Sequence, residues 1–248
     1  MSEVVTYESR DGIAVVSINC PDRLNAIGPE VEAGLRQAWI RLRDSDEDRV
    51  AILTGVGDKA FSAGKDMKSS APPDYRSFTP GVGVHLDKPI ISAVSGWCIG
   101  GALVLAQMCD LCVATEDAKF TYPEAKLGFA GGMIASLASR IPLKVAMELM
   151  LLGEVIDARR AYDIGMVNRV VPNGQHLDEA MSMARRLAAN APVVMSMLKR
   201  FAAATVPQSP VEIAGHAWRE TDRVFSSEDY QEGLSSVAEK RPPVFSGR

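Results

Sequence analysis

The sequence is poor in the features that several protein classes depend on. Cysteine occurs four times in 248 residues, too few and too scattered for a disulfide framework, and a chain of this length buries enough core to fold without covalent or metal staples. Cys20 and Cys98 stand alone. Cys109 and Cys112 share a C-x-x-C spacing that admits redox or zinc chemistry, yet they have no second pair and sit in what looks like a buried strand, so they read as reduced, packed thiols. Neither sign of charge dominates: 27 Lys and Arg face 31 Asp and Glu, a net charge of −4. That leaves no basic face for a phosphate polymer, and nucleic acid is not an expected partner. No apolar run approaches the roughly 20 residues of a membrane span. The start, Met1-Ser2-Glu3-Val4, has no basic stretch followed by an apolar one, so the expectation is a cytoplasmic protein with no membrane partner. No internal repeat or low-complexity tract is visible. Of the three histidines, His176 and His216 lie in polar or helical contexts remote from the motifs described below.

What the chain does carry is an alternation of strand and helix patterns. Val4-Val5-Thr6-Tyr7-Glu8 and Ile13-Ala14-Val15-Val16-Ser17-Ile18 flank Asp11-Gly12 and predict a β-hairpin. After Pro29, apolar Val31, Leu35, Ala38, Trp39 and Leu42 recur at helical spacing until the charges from Asp44 to Arg49 stop the pattern. Val50-Ala51-Ile52-Leu53 and Ile90-Ile91-Ser92-Ala93-Val94 have the unbroken apolar character of buried strands. Between them, residues 62–83 carry Ser, Gly, Pro and Asp with little period and predict a loop with at most a short helix. A helix follows from Gly100, and strands resume at Leu111-Cys112-Val113-Ala114 and Phe120-Thr121-Tyr122. Helical patterns fill Met133 to Leu152 with a break at Pro142, a strand returns at Met166 to Val171, and the chain after His176 reads as helical. Strands alternating with helices, then a helical tail, make one α/β domain with a C-terminal helical extension.

Three stretches carry chemistry. Ala60-Phe61-Ser62-Ala63-Gly64-Lys65-Asp66-Met67 is a small-residue turn past a strand, where backbone N–H groups can face a ligand. Ser95-Gly96-Trp97-Cys98-Ile99-Gly100-Gly101-Ala102 joins a strand to a helix start, where unpaired N–H groups favour developing negative charge. Phe120-Thr121-Tyr122-Pro123-Glu124-Ala125-Lys126-Leu127-Gly128 sets a carboxylate among apolar neighbours, which raises its pKa toward the range of proton transfer. Each has a plainer reading as well: a tight turn for the first two, and for Glu124 a helix cap or a partner for Lys126.

The three in this order resemble the crotonase superfamily, the enoyl-CoA hydratase and isomerase family, over essentially the whole chain. Arg23-Leu24-Asn25-Ala26-Ile27, the run from Asp87 to Gly96, Cys109-Asp110 and Ala161-Tyr162-Asp163-Ile164-Gly165-Met166-Val167-Asn168 are similar to its flanks. The Pro123 to Gly128 box and Ala238-Glu239-Lys240-Arg241-Pro242-Pro243-Val244-Phe245 look most like the carnitinyl-CoA dehydratase branch. The resemblance implies an α/β crotonase (ClpP-like) spiral of ββα units, with residues 1–190 as the core and 191–248 as a helical trimerisation region. It also implies a homotrimer or dimer of trimers and an acyl-CoA thioester substrate, with no metal and no cofactor beyond the coenzyme A of the substrate itself. The thioester oxygen would sit between the N–H groups of Lys65 and Gly101, with Glu124 as acid/base. Coenzyme A would run along Ser62, Ala63, Asp66 and Met67, and Arg23, Trp97, Gly100, Val104 and Gly132 would complete the substrate side. Lys240 matches a position that reaches a neighbouring subunit's CoA phosphate.

One position departs from the pattern. Family hydratases pair two glutamates, and the first falls here on Val104, three residues beyond Gly101 and so on its helix face. A single carboxylate can still shift a proton between the carbons alpha and gamma to the thioester, as in isomerases. Hydration by Glu124 alone needs another group to orient water, and Asp74 and Tyr75 are the loop's candidates. Decarboxylation of a malonyl-type ester makes the same enolate, with Tyr75 or His85 as proton donor, and a non-catalytic CoA-ester binder is the remaining alternative within the fold. Outside it, Gly55-Val56-Gly57-Asp58-Lys59-Ala60 fits a G-x-G-x-x-A dinucleotide fingerprint, but the helix that motif requires is missing from residues 61–74.

Overall fold

A computed structural model describes residues 4–129, 132–205, 221 and 224–248. The chain opens with the hairpin. β1 (Val5–Arg10) and β2 (Ile13–Ile18) pair antiparallel, Val5 opposite Ile18 and Arg10 opposite Ile13. Asp11 and Gly12 both take positive φ, 54° and 77°, as a two-residue turn matched to the strand twist requires. Helix α1 (Pro29–Asp44) starts on a proline, which loses nothing at a first turn, and buries Val31, Leu35, Ala38, Trp39 and Leu42.

From there a unit repeats. A long strand enters a large sheet, a short strand enters a small one, and a helical turn follows. β3 (Val50–Gly55) leads to β4 (Ala60–Ser62) and later α2 (Tyr75–Phe78). β5 (Ile90–Val94) leads to β6 (Trp97–Ile99) and α3 (Gly101–Met108). β7 (Leu111–Thr115) leads to β8 (Lys119–Thr121) and α4 (Glu124–Leu127). With β9 (Ile156–Asp157) and β10 (Arg169–Val171), the large sheet runs β1-β2-β3-β5-β7-β10 and the small one β4-β6-β8-β9. Within the large sheet every pairing after the hairpin is parallel. This is the ββα spiral that the resemblance implies.

The core explains why β3 has no polar face. Ala51 and Leu53 join the cluster formed with α1 and α3, whereas Val50 and Ile52 pack toward Ala180 and Ala184 of the helix His176–Ala188. A strand covered on both sides reads as an unbroken apolar run. Gly55 ends β3 because Phe61 crosses there: a Cβ would collide with the Phe61 carbonyl. No dinucleotide-binding helix follows it, since the chain goes into β4 and has no helix until Tyr75.

Several expectations need correction. The short strands β4, β6 and β9 are absent from the sequence reading, which takes Ala60–Ser62 as part of a turn, and the strand expected at 166–171 begins only at Arg169. Among the described residues the chain after His176 is not wholly helical: helices include His176–Ala188, Pro192–Thr205 and Glu228–Glu239, but 242–248 is irregular. That tail folds back so that the Asp229 carboxylate accepts the N–H groups of Ser246 and Gly247. His216 lies outside the described residues. Cys98, Cys109 and Cys112 are buried free thiols, and burial pushes the Cys112 pKa up to about 11, which leaves little of the thiolate that redox or zinc chemistry uses. No described helix is long and apolar enough to cross a membrane.

Candidate active site

β4, β6 and β8 lie side by side and parallel, with Ser62 beside Cys98 and Ile99 beside Thr121. Their C-terminal ends therefore open together, and the three stretches singled out in sequence converge there. Gly64, at φ 79°, lets its loop lie against the next: a Cβ on it would stand 2.5 Å from the Ile99 carbonyl oxygen and 3.4 Å from the Gly101 nitrogen. Ile27 donates its N–H to the Gly64 carbonyl at 2.7 Å and accepts from the Asp66 N–H at 2.8 Å. Those two bonds turn the Lys65 N–H to the opposite side, and it has no partner among the described residues. The Gly101 N–H, in the first turn of α3, has none either. Two free backbone donors on abutting loops can polarise one carbonyl oxygen.

Glu124 closes the site from the third loop. It is 5 % exposed, and its Oε2 has no hydrogen-bond partner. Burial disfavours the charged form and pushes its pKa up to about 8, against a smaller lowering by its own backbone N–H. The carboxylate does not pair with Lys126, whose ammonium donates to the Gly153 carbonyl at 2.9 Å. Gly100 and Gly101 are glycines for different reasons. A Cβ on Gly100 would run into Glu124 Oε1, and one on Gly101 would stand 2.8 Å from the Tyr75 hydroxyl. One buried acid and one buried phenol thus flank the donor pair.

A match to the enoyl-CoA hydratase/isomerase family runs over residues 8–248. The chain belongs to that family. It is 36% identical to a (E)-benzylidenesuccinyl-CoA hydratase of Thauera aromatica, over 98% of this chain and 99% of that protein. It is 37% identical to a carnitinyl-CoA dehydratase of Citrobacter koseri over the whole of both chains. Among solved structures, a carnitinyl-CoA dehydratase from Mycobacterium avium 104 superposes with a TM-score of 0.88 at 36% identity, covering 100% of each chain. The chain is thus a crotonase-fold enzyme similar to the carnitinyl-CoA dehydratase branch.

In this family member, the expected residues fall into three groups. Lys65, Gly100, Gly101 and Glu124 meet at the centre, with Val104 fully buried one turn along α3. Arg23, Ala63, Asp66 and Met67 form a rim, held by an Arg23–Asp66 ion pair at 3.0 Å and by the Ala63 N–H donating to the Leu24 carbonyl at 2.8 Å. Ser62 sits beneath it, buried, its hydroxyl accepting the Gly64 N–H at 3.1 Å, so it shapes the turn from below. Trp97 and Lys240 are not among the residues that meet at Gly100 and Glu124. Trp97 opens β6 at the end away from Gly100, under the Lys119 ammonium at 5.1 Å. Gly132 begins a 3-10 helix to Ser139, and Lys240 is exposed at the end of the helix Glu228–Glu239.

Two loop candidates are corrected. Asp74 is exposed and caps α2 by accepting the Arg76 N–H, so it does not face Glu124 as a free acid. His85 is exposed and paired with Asp87 at 3.1 Å, which in turn holds Arg200. Neither reaches the glycine pair. Sequence reasoning passed over Glu32 and gave Asn25 no role of its own. Glu32 accepts the Asp74 N–H at 3.4 Å and lies near Lys65 and Tyr75. Asn25, at φ 55°, accepts from the Cys20 N–H and donates to the carbonyls of Val56 and Ala60, which locks the Arg23 rim onto the sheet. The positive φ of an Asn in a turn was its only signal, and that is a backbone property.

Proposed function

We propose that the protein adds water to, or removes it from, a 2-enoyl-type CoA thioester through an enolate held by the N–H groups of Lys65 and Gly101. Glu124 is the carboxylate that moves the proton. The observation that carries this reading is Glu124 itself: buried, unpaired at Oε2, against the glycine pair, with a pKa near 8. Such a group takes and returns a proton near neutral pH with little driving force lost either way.

In the hydrating direction the ionised Glu124 takes a proton from water as its oxygen bonds to the β-carbon. The π electrons move toward the thioester oxygen, where the two N–H groups meet the growing charge. Glu124 then delivers the proton to the α-carbon, and the thioester carbonyl reforms. Each donor in such a pair contributes about 3 kcal/mol to the transition state. No metal or redox cofactor enters these steps, and coenzyme A is carried by the substrate along the Arg23–Asp66 rim. The names of the relatives, a hydratase and a dehydratase, support water as the second reactant.

Isomerisation is the second reading, favoured by Val104. Its side chain has no hydrogen bond to offer water, and double-bond migration needs only the enolate and one base. A panel of 2-enoyl, 3-enoyl and malonyl-type CoA esters with the wild type and Glu124→Gln distinguishes the cases. Hydration of the 2-enoyl ester, lost in the variant, is the expected result. Conversion of the 3-enoyl ester alone names an isomerase, and carbon dioxide from the malonyl-type ester a decarboxylase. Binding without turnover names a non-catalytic protein.

The helix Pro192–Thr205 buries none of its own residues and leaves Val193, Val194, Leu198 and Phe201 exposed. That face supports residues 191–248 as an assembly region of a homotrimer or dimer of trimers, in which Lys240 reaches a neighbour's substrate. A cytoplasmic location remains the expectation.

A further inference from the structure

Water adding to an activated double bond needs a base for its proton and a second polar group to hold its oxygen toward the carbon. Glu124 meets the first need. On α3, the residue that shares a face with Gly101 is Val104, an isopropyl group inside the core. From the other side, Tyr75 reaches the same place. It is 1 % exposed, and its hydroxyl oxygen, Cε1 and Cζ would stand 2.8, 3.2 and 3.4 Å from a Cβ on Gly101. That hydroxyl has no hydrogen bond among the described residues. The ring is nonetheless held firmly. It packs on Phe78 with centroids 5.2 Å apart, Asp74 caps the turn, and the Trp39 indole N–H donates to the Phe78 carbonyl at 2.5 Å. A buried phenol on a capped turn, packed against an anchored Phe78 and left without a partner of its own, is placed for a ligand atom.

We propose that Tyr75 is the second hydrogen-bonding group of the reaction, donating its O–H to the oxygen that joins or leaves the β-carbon while Glu124 moves the proton. This rests on the reading of Glu124 as acid/base. Burial beside Glu124 and Glu32 raises the phenol's pKa well above its usual value, so Tyr75 stays neutral and acts as a donor only. It gains and loses no proton over the cycle. In dehydration its hydrogen bond strengthens as the C–O bond breaks and the leaving oxygen becomes hydroxide-like, and Glu124 then protonates that oxygen.

Tyr75→Phe keeps the ring and deletes an oxygen that bonds nothing in the free protein, so it should fold. Two assays separate its effects: hydration of a 2-enoyl-CoA ester, and exchange of the α-protons of a saturated acyl-CoA in deuterium oxide. Exchange needs Glu124 and the backbone donors but moves no oxygen. The expected result is a fall in the hydration kcat of about 100-fold or more, with KM and the exchange rate within about threefold of wild type. Unchanged hydration would overturn the proposal. Equal loss of both reactions would also overturn it, by making Tyr75 a packing residue, and so would a wild type that isomerises 3-enoyl esters and hydrates nothing. Glu124→Gln, run alongside, should lose both reactions. If it keeps them, it is the reading of Glu124 that fails, whatever Tyr75→Phe does.

Discussion

Glu124 rests directly on the backbone of Gly100: any side chain at position 100 would occupy the space of Glu124 Oε1. Gly100 also has φ 57° with ψ −114°, a combination outside the regions open to other residues. Gly100→Ala therefore has to displace the carboxylate or the start of α3. The expected outcome is a loss of stability of about 1–3 kcal/mol, seen by thermal or denaturant unfolding. A kcat reduced by about 100-fold or more should accompany it. Retention of wild-type kcat would mean that the carboxylate's position is not what turnover requires.

The elevated pKa of Glu124 predicts the pH profile. Hydration and dehydration both begin with the ionised carboxylate, which takes a proton from water or from the α-carbon. With a pKa pushed up to about 8 by burial, kcat/KM should rise about tenfold per pH unit below that value and level off above it. A profile flat from pH 6 to 9 would show that Glu124 is already ionised at the lower end.

The same group should cost stability as pH rises. Its folded pKa of about 8 lies above the ordinary 4.5, so between those values the folded state binds more protons than the unfolded one. Stability then falls as pH rises through that window and is flat with respect to this group on either side. Glu124→Gln, which cannot ionise, should unfold at a higher temperature than wild type at pH 8.5 and lose that advantage toward pH 5. The full swing is on the order of 4 kcal/mol. An advantage independent of pH would separate it from the titration.

The parts of this structure that show in the sequence are those whose cause is local. Asp11-Gly12 marks the hairpin because both positions need positive φ. The strands of the large sheet stand out because burial on both faces leaves no polar alternation to confuse. The centre of the site is legible for a similar reason: a glycine pair at a strand-to-helix junction and a glutamate directly after a proline are each marked by their immediate neighbours. The two- and three-residue strands β6 and β9 are too short to show a period. The ββα unit repeats in chain path and not in residue identity, so no sequence repeat announces it. Tyr75 stands in the sequence as a loop candidate beside Asp74, in a stretch of Ser and Pro with no period that would show it to be buried. Its ring packs on Phe78, and Phe78 in turn is tied to Trp39, which is 36 residues before Tyr75 in the sequence. Asp74, one residue away, looks the better acid in sequence, yet it is spent on capping α2.

Gly64→Ala tests the donor pair without touching an ionisable group. Gly64 has φ 79°, and a Cβ there would press to 2.5 Å from the Ile99 carbonyl oxygen, so the loop bearing Lys65 must swing away from the loop bearing Gly101. The Lys65 N–H then no longer points where the Gly101 N–H points. Loss of one such donor costs about 3 kcal/mol in the transition state, roughly 100-fold in rate. The loss should appear in kcat for hydration and equally in α-proton exchange, because both pass through the enolate, whereas Tyr75→Phe should spare exchange. A Gly64→Ala variant that loses hydration and keeps exchange would place the Lys65 N–H against the water oxygen and leave Gly101 to hold the enolate alone.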